Sequence, residues 1–183
     1  NLWSLNLNAD INPHYANDFY EARTPGRVYK ELPYYGFGVN LSTNYSKKYY
    51  VSLFYYVKFK DRFKGWGFDS DLYQNFRFND HLAISLESML GPRYDYAGYA
   101  STDEITNDIL FAQRDRKTIE NVLSIKYTFN NSMGIQLRGR HYFSNVKDKK
   151  YYTLLEDGEL ASNNSFTGNT NINFNLFNVD MVY

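Results

Sequence analysis

The sequence predicts an all-β chain folded as an antiparallel up-and-down transmembrane β-barrel, with about eight strands in its 183 residues. Three observations carry that prediction. Apolar side chains recur with a period of two over segments long enough to cross a bilayer at a tilt, which needs about 9–11 residues. The connections between segments are sorted by length along the chain. The aromatic fraction is 19%, mostly 19 Tyr and 14 Phe, and it gathers toward segment ends with Leu, Ile and Val between.

The first segment is weak, with Leu5, Leu7 and Ala9 against Asn6, Asn8 and Asp10. From Tyr34 to Asn44, Tyr35, Phe37, Val39 and Leu41 share one face while Gly36, Gly38, Asn40 and Ser42 share the other. Tyr49 to Lys60 sets Tyr49, Val51, Leu53, Tyr55, Val57 and Phe59 against Tyr50, Ser52, Phe54, Tyr56, Lys58 and Lys60. Next, Trp66, Phe68, Leu72, Phe76 and Phe78 oppose Asp69, Asp71, Tyr73, Asn75 and Arg77, and then Leu82, Ile84, Leu86 and Leu90 oppose Ala83, Ser85 and Glu87. Ile119, Leu123, Ile125, Tyr127 and Phe129 oppose Glu120, Ser124, Lys126 and Thr128. Met133, Ile135, Leu137 and Phe143 oppose Gly134, Gln136, Arg138 and Arg140. The last segment sets Ile172, Phe174 and Leu176 against Asn171, Asn173 and Asn175.

Short turns are expected at residues 44–48, 79–81 and 130–132, and long surface loops at 11–33, 92–117 and 144–169, with a lesser one at 61–65. Tracing the chain up and down puts the short turns at one end and the long loops at the other, as in outer-membrane barrels. Parity tests the turns, because a one-residue slip moves every apolar residue to the wrong face. It requires three-residue loops that set Phe76 opposite Ile84, and Phe129 opposite Met133 with Tyr127 opposite Ile135.

The composition narrows function. With 20 basic and 20 acidic side chains there is no electrostatic case for nucleic acid. The absence of Cys excludes disulfides, thiolate metal sites and cysteine nucleophiles. A mean hydropathy of −0.59 offers no transmembrane helix, and alternating barrel strands give no hydropathy peak in any case.

In a barrel, aromatic rings collect at the two membrane interfaces. Tyr35, Tyr55, Trp66 and Phe143 fall at the long-loop ends of their segments, and Tyr49, Tyr127 and Phe129 at the short-turn ends. The inward face would carry a lumen network of both signs: Lys58, Asp69, Asp71, Arg77, Glu87, Glu120, Lys126, Arg138 and Arg140. The long-loop tyrosines Tyr94, Tyr96, Tyr99, Tyr151 and Tyr152 are the candidates for surface contact with a ligand or partner.

Catalytic chemistry finds no support. His14 and His81 have no nearby carboxylate pair or second His in sequence. His141 and Ser144 are three residues apart, an odd spacing that puts them on opposite faces of a strand, whereas a Ser-His pair needs one face. No twelve-residue calcium loop, phosphate-binding Gly loop or nucleophile elbow is present. No catalytic residue, cofactor or metal is expected. The partners expected are membrane lipid and lipopolysaccharide, together with other outer-membrane proteins or surface glycan.

The runs Thr118 to Asn121, Lys126 to Asn131 (KYTFNN), Arg138 to Ser144 (RGRHYFS), Tyr152 to Gly158 (YTLLEDG) and Phe177 to Tyr183 resemble an uncharacterised Bacteroidota family of outer-membrane β-barrels, whose barrel usually follows a family-nine carbohydrate-binding-like domain. The resemblance covers the C-terminal third well and implies location in the bacterial outer membrane with glycan contact. It supplies no catalytic residues. The family pattern continues beyond Tyr183, so residues 1–183 are expected to form one segment of a larger barrel of about 12–16 strands. The expected function is a non-enzymatic transport or scaffold component of the outer membrane at the cell surface. The alternatives are a soluble β-rich glycan-binding module and, third, an outer-membrane lipid-modifying enzyme.

Overall fold

The computed structural model describes residues 2–104 and 106–183. In chain order the strands are β1 (Ser4–Asn12), β2 (Ala16–Asp18), β3 (Tyr29–Glu31), β4 (Tyr34–Ser42), β5 (Tyr49–Lys60), β6 (Trp66–Arg77), β7 (Leu82–Leu90), β8 (Arg93–Thr102), β9 (Ile109–Asn130), β10 (Met133–Leu154), β11 (Leu160–Asn163) and β12 (Ile172–Val182), with one 3-10 turn at Arg62–Lys64. All pairings are antiparallel. One large sheet runs β1-β4-β5-β6-β7-β9-β10, with β8 beside β6 and β9, and with β11 and β12 both on β10. Strands β2 and β3 form a separate hairpin.

Several of these segments act as single long strands. β7 and β8 lie end to end along β9, since Leu90 pairs with Ile119 and Thr102 with Ile109. β12 and β11 lie in the same way along the two ends of β10. This corrects the expectation of loops at 92–117 and 144–169, because most of both segments is strand. The alternation fades there for a physical reason. Gln113-Arg114-Asp115-Arg116-Lys117 is polar on both faces, with an ion pair on each, so no apolar period survives. The segment 11–33 likewise holds the end of β1 and the β2–β3 hairpin.

The registers satisfy the parity argument. Phe76 pairs with Ile84 and Asn75 with Ser85. Tyr127 pairs with Ile135 and Ile125 with Leu137, but Met133 faces Asn130 rather than Phe129. The chain turns on Asn131 and Ser132, and a bulge at Phe129 restores the parity that a three-residue loop would have kept. Asn130 braces the turn by accepting the Ser132 amide at 2.9 Å.

The sheet does not close among the described residues, since β1 and β12 each pair on one side only. It does curl. Flat, β5 and β10 would stand about 19 Å apart, four strand spacings of ~4.8 Å. Yet Phe63, just after β5, packs its ring 4.9 Å from Tyr152 of β10, and Arg62 reaches Glu159 at 3.1 Å.

Burial is inverted relative to a globular domain. The buried apolar set is small: Ala22, Tyr29, Ile109, Leu110, Phe111, Ala112, Val146 and Leu154. Its main cluster lies at the end of the sheet away from the short turns, where the β2–β3 hairpin caps β9 and β10. Tyr29 meets Phe111 at 4.9 Å, and Arg27 donates to the Leu154 carbonyl at 2.8 Å. The middle of the sheet has no core at all.

Candidate functional site

The register aligns one continuous apolar face. Successive rungs place Leu7, Val39, Tyr55, Ser70, Leu90, Ile119 and Phe143 in line, and lower down Tyr49, Phe76, Ile84, Ile125 and Leu137. Nothing packs on this face. Phe37 is 52% exposed, Leu123 45% and Leu137 41%. On β9 it runs from Phe129 to Ile119 and then turns polar at Lys117, Asp115 and Gln113. Ten residue steps of ~3.3 Å, tilted by ~40°, rise about 25 Å, the height of a barrel's lipid band.

Aromatic pairs edge the band on both sides. Toward the short turns, Tyr49 meets Phe76 at 6.2 Å and Tyr127 meets Phe129 at 5.0 Å. Toward the other end, Tyr35 stacks on Phe59 at 5.2 Å, Tyr55 on Phe68 at 5.3 Å and Trp66 on Tyr94 at 4.9 Å. Phe143 lies opposite Asn175 near the same end. One polar row interrupts the face, where Ser88 donates to Asn121 at 2.9 Å and His141 meets Asn175 at 3.0 Å, so these groups satisfy one another.

The opposite face is polar. Lys58, Asp69, Asp71, Arg77, Glu87, Glu120, Lys126, Arg138 and Arg140 fall on it by register. Several are paired: Arg140 with Glu120 at 2.6 Å, Arg138 with Asp180 at 3.7 Å, and Arg93 with Asp69 at 2.5 Å. Asp69, Asp71, Glu120, Arg116 and Tyr142 line part of an open cleft of about 480 Å³. The final strand departs from expectation. Ile172, Phe174 and Leu176 share the polar face, pairing with Val146, Ser144 and Tyr142, and the Phe174 ring meets Tyr142 at 5.9 Å. Phe177, Val179 and Met181 continue the apolar face instead. The sequence alternates polar and apolar on both sides of Leu176-Phe177, so only the register on β10 identifies the face.

The ends of β8, β9 and β10, beyond the apolar band, hold the features that the sequence did not reveal. Arg114 grips Asp148 with two nitrogens at 2.7 and 3.0 Å and donates to the Tyr99 carbonyl at 2.7 Å. Lys149, the extra residue of a β-bulge, bridges Asp95 at 2.7 Å and Asp115 at 2.8 Å. Those contacts hold the Asp95 carboxyl below its ordinary value and the Lys149 ammonium above its own. The Arg-Asp-Arg run at 114–116 was the available signal, since its two cations share a strand face.

Of the five tyrosines singled out for surface contact, Tyr94 stacks on Trp66, Tyr152 packs at a tilt against Phe63 and Tyr151 meets Phe166 edge-on, while Tyr99 packs against the small core. Tyr96 lines a partly enclosed cavity of about 190 Å³ between the β2–β3 hairpin and the sheet. Burial pushes the phenols of Tyr29 and Tyr96 up, so both remain neutral donors. Among the described residues, no group of three or more His, Cys, Asp or Glu side chains could hold a metal ion.

A family model described as a domain of unknown function (DUF5916) matches residues 1–183. The chain belongs to that family. No curated protein and no solved structure matches it. No helix of the described residues is long and apolar enough to cross a membrane.

Proposed function

We propose that this chain forms part of the wall of a bacterial outer-membrane β-barrel, a non-enzymatic transport or scaffold component that meets lipid and lipopolysaccharide on one face and water on the other. The observation that carries the reading is the inverted burial: a continuous apolar sheet face about 25 Å tall, uncovered by any element and edged by aromatic pairs. Monomeric soluble proteins rarely leave an apolar surface of this extent uncovered. The opposing face, with charges of both signs and four of its nine named charges in ion pairs, suits a hydrated interior better than a strongly ion-selective path.

On this reading the free edges of β1 and β12 are completed by further strands, because unpaired backbone groups in hydrocarbon cost several kcal/mol each. The larger barrel then has about 12–16 strands. The sequence resemblance to Bacteroidota barrels supports a cell-surface role with glycan contact.

Extraction tests the reading. The full-length protein is expected in the outer-membrane fraction, folded only in detergent or lipid, with faster gel migration before boiling than after. A monomeric, folded protein in detergent-free buffer would overturn it.

A further inference from the structure

The cavity beneath the β2–β3 hairpin is lined by cations and carboxylates whose arrangement the membrane reading does not use. Its lining includes Tyr29, Glu31, Lys58, Lys60, Tyr96 and Arg116. Each carboxylate that reaches it is already engaged. Glu31 is paired with Lys60. Glu21 accepts the Tyr99 amide at 2.9 Å. Asp18 accepts the amides of Tyr20 and Glu21 at 2.8 and 2.9 Å. The Arg93 guanidinium, also in the lining, is held by Asp69 and by the Phe68 carbonyl at 2.7 Å.

Asp18 and Glu21 keep their charge but are turned to backbone amides, whereas two of the lining cations have no ion pair or hydrogen bond among the described residues. Lys58 lies over the Tyr34 ring, 3.4 Å from its centre, and makes no hydrogen bond or ion pair among the described residues. Arg116 lies 5.5 Å from the centre of the Tyr96 ring, and its Nε is buried without a partner. A buried guanidinium nitrogen with no acceptor is costly, and native structures rarely tolerate one without a use. The two cations enter from opposite walls, β5 and β9, and converge on the same space. That space is smaller than the roughly 300–1,000 Å³ of pockets for drug-sized ligands.

We propose that this cavity binds a small oxyanion-bearing ligand, a carboxylate or phosphate on a body of about monosaccharide size, with Lys58 and Arg116 as its counter-charges. Arg116 supplies a planar fork suited to two acceptor oxygens and Lys58 a point charge. Tyr29 and Tyr96 supply the flat apolar surface on which the body of the ligand rests. The inference stands apart from the membrane reading, because the cavity lies beyond the apolar band.

Calorimetric titration of the full chain in detergent tests it, with glucuronate, glucose 1-phosphate and neutral glucose as probes. Binding of one or both anions with at least tenfold preference over glucose is expected, and the two anions separate the carboxylate source from the phosphate source. Arg116→Gln and Lys58→Gln should each weaken binding about tenfold or more. Arg116→Lys should keep part of it, and Lys64→Gln, at an exposed position outside the lining, should leave it unchanged. Folding of each variant is checked by heat-modifiable migration. If no anion binds the folded wild type, glucose binds as well as the anions, or the folded Arg116→Gln variant binds like wild type, the proposal is wrong.

Discussion

Arg114 and Asp148 face each other directly across the β9–β10 ladder and form a two-pronged ion pair, with the Asp148 side chain wholly out of solvent. Thr170 and the Asn171 side chain close around the same aspartate, the first donating to its carboxylate and the second accepting its amide. The pair therefore ties the segment before β12 to the β9–β10 ladder toward its open end. Removing one partner strands the other in a site without water.

Asp148→Ala should accordingly cost about 3–5 kcal/mol of folding stability, measured by chemical denaturation in detergent. An effect below about 1 kcal/mol would mean that Arg114 finds solvent in the folded protein.

Face assignment makes a sharper contrast. Leu137→Arg, in the apolar band opposite Ile125, should cost about 2–4 kcal/mol in a lipid-refolded protein, and Gln136→Arg, opposite Lys126 on the polar face, should cost much less. Equal costs would contradict the assignment of the two faces.

The bridge from Lys149 to Asp95 and Asp115 gives a pH dependence of defined sign. Asp95 has its carboxyl pKa lowered from 3.8, so its contribution is present above that value and is lost as pH falls through the lower folded one. Lys149 has its pKa raised from 10.5, so its contribution is present below that value and is lost as pH rises through the higher folded one. All three groups are substantially solvated, so the effect is small and screened by salt. In Lys149→Met the low-salt stability should lose its acid-side decline from Asp95 and become less sensitive to salt, as read by thermal unfolding at stepped pH and ionic strength.

Gly67 allows a close backbone approach. A side chain there would place its first carbon 2.5 Å from the Pro92 carbonyl oxygen, where β8 joins β6. Gly67→Ala should cost about 1–3 kcal/mol by forcing the strands apart. Proteolysis near residues 103–108 should become faster, while the rest of the sheet stays folded.

The strands of the apolar band were legible because each shows an apolar side and a polar side in alternate residues, and parity then fixed the pairing at 79–81. Where that contrast disappears, so does the signal. Arg114 to Lys117 is charged on both faces, and the buried run Ile109 to Ala112 is apolar on both, so neither half of the β9 extension reads as an alternating strand. β12 failed differently. Its alternation is clear, but an unbroken alternation of Asn with Ile, Phe and Leu does not say which side chains join the apolar face of the sheet, and the partner strand decides. Lys58 was found as an inward charge, whereas its counterpart Arg116 lay in a segment expected to be loop.

The β9–β10 hairpin pairs without a gap of more than one residue from Met133 to Thr153, yet its strands are joined by only Asn131 and Ser132. No other ladder in the sheet brings so much hydrogen bonding within reach of so short a closure, and loop closure is the entropy that sets the order of pairing. Assembly of the sheet thus has a built-in starting point near its C-terminal side, from which neighbouring strands add outward, and β1 is added last. Amide exchange should follow the same gradient, slowest around Leu123 to Leu137 and fastest along β1.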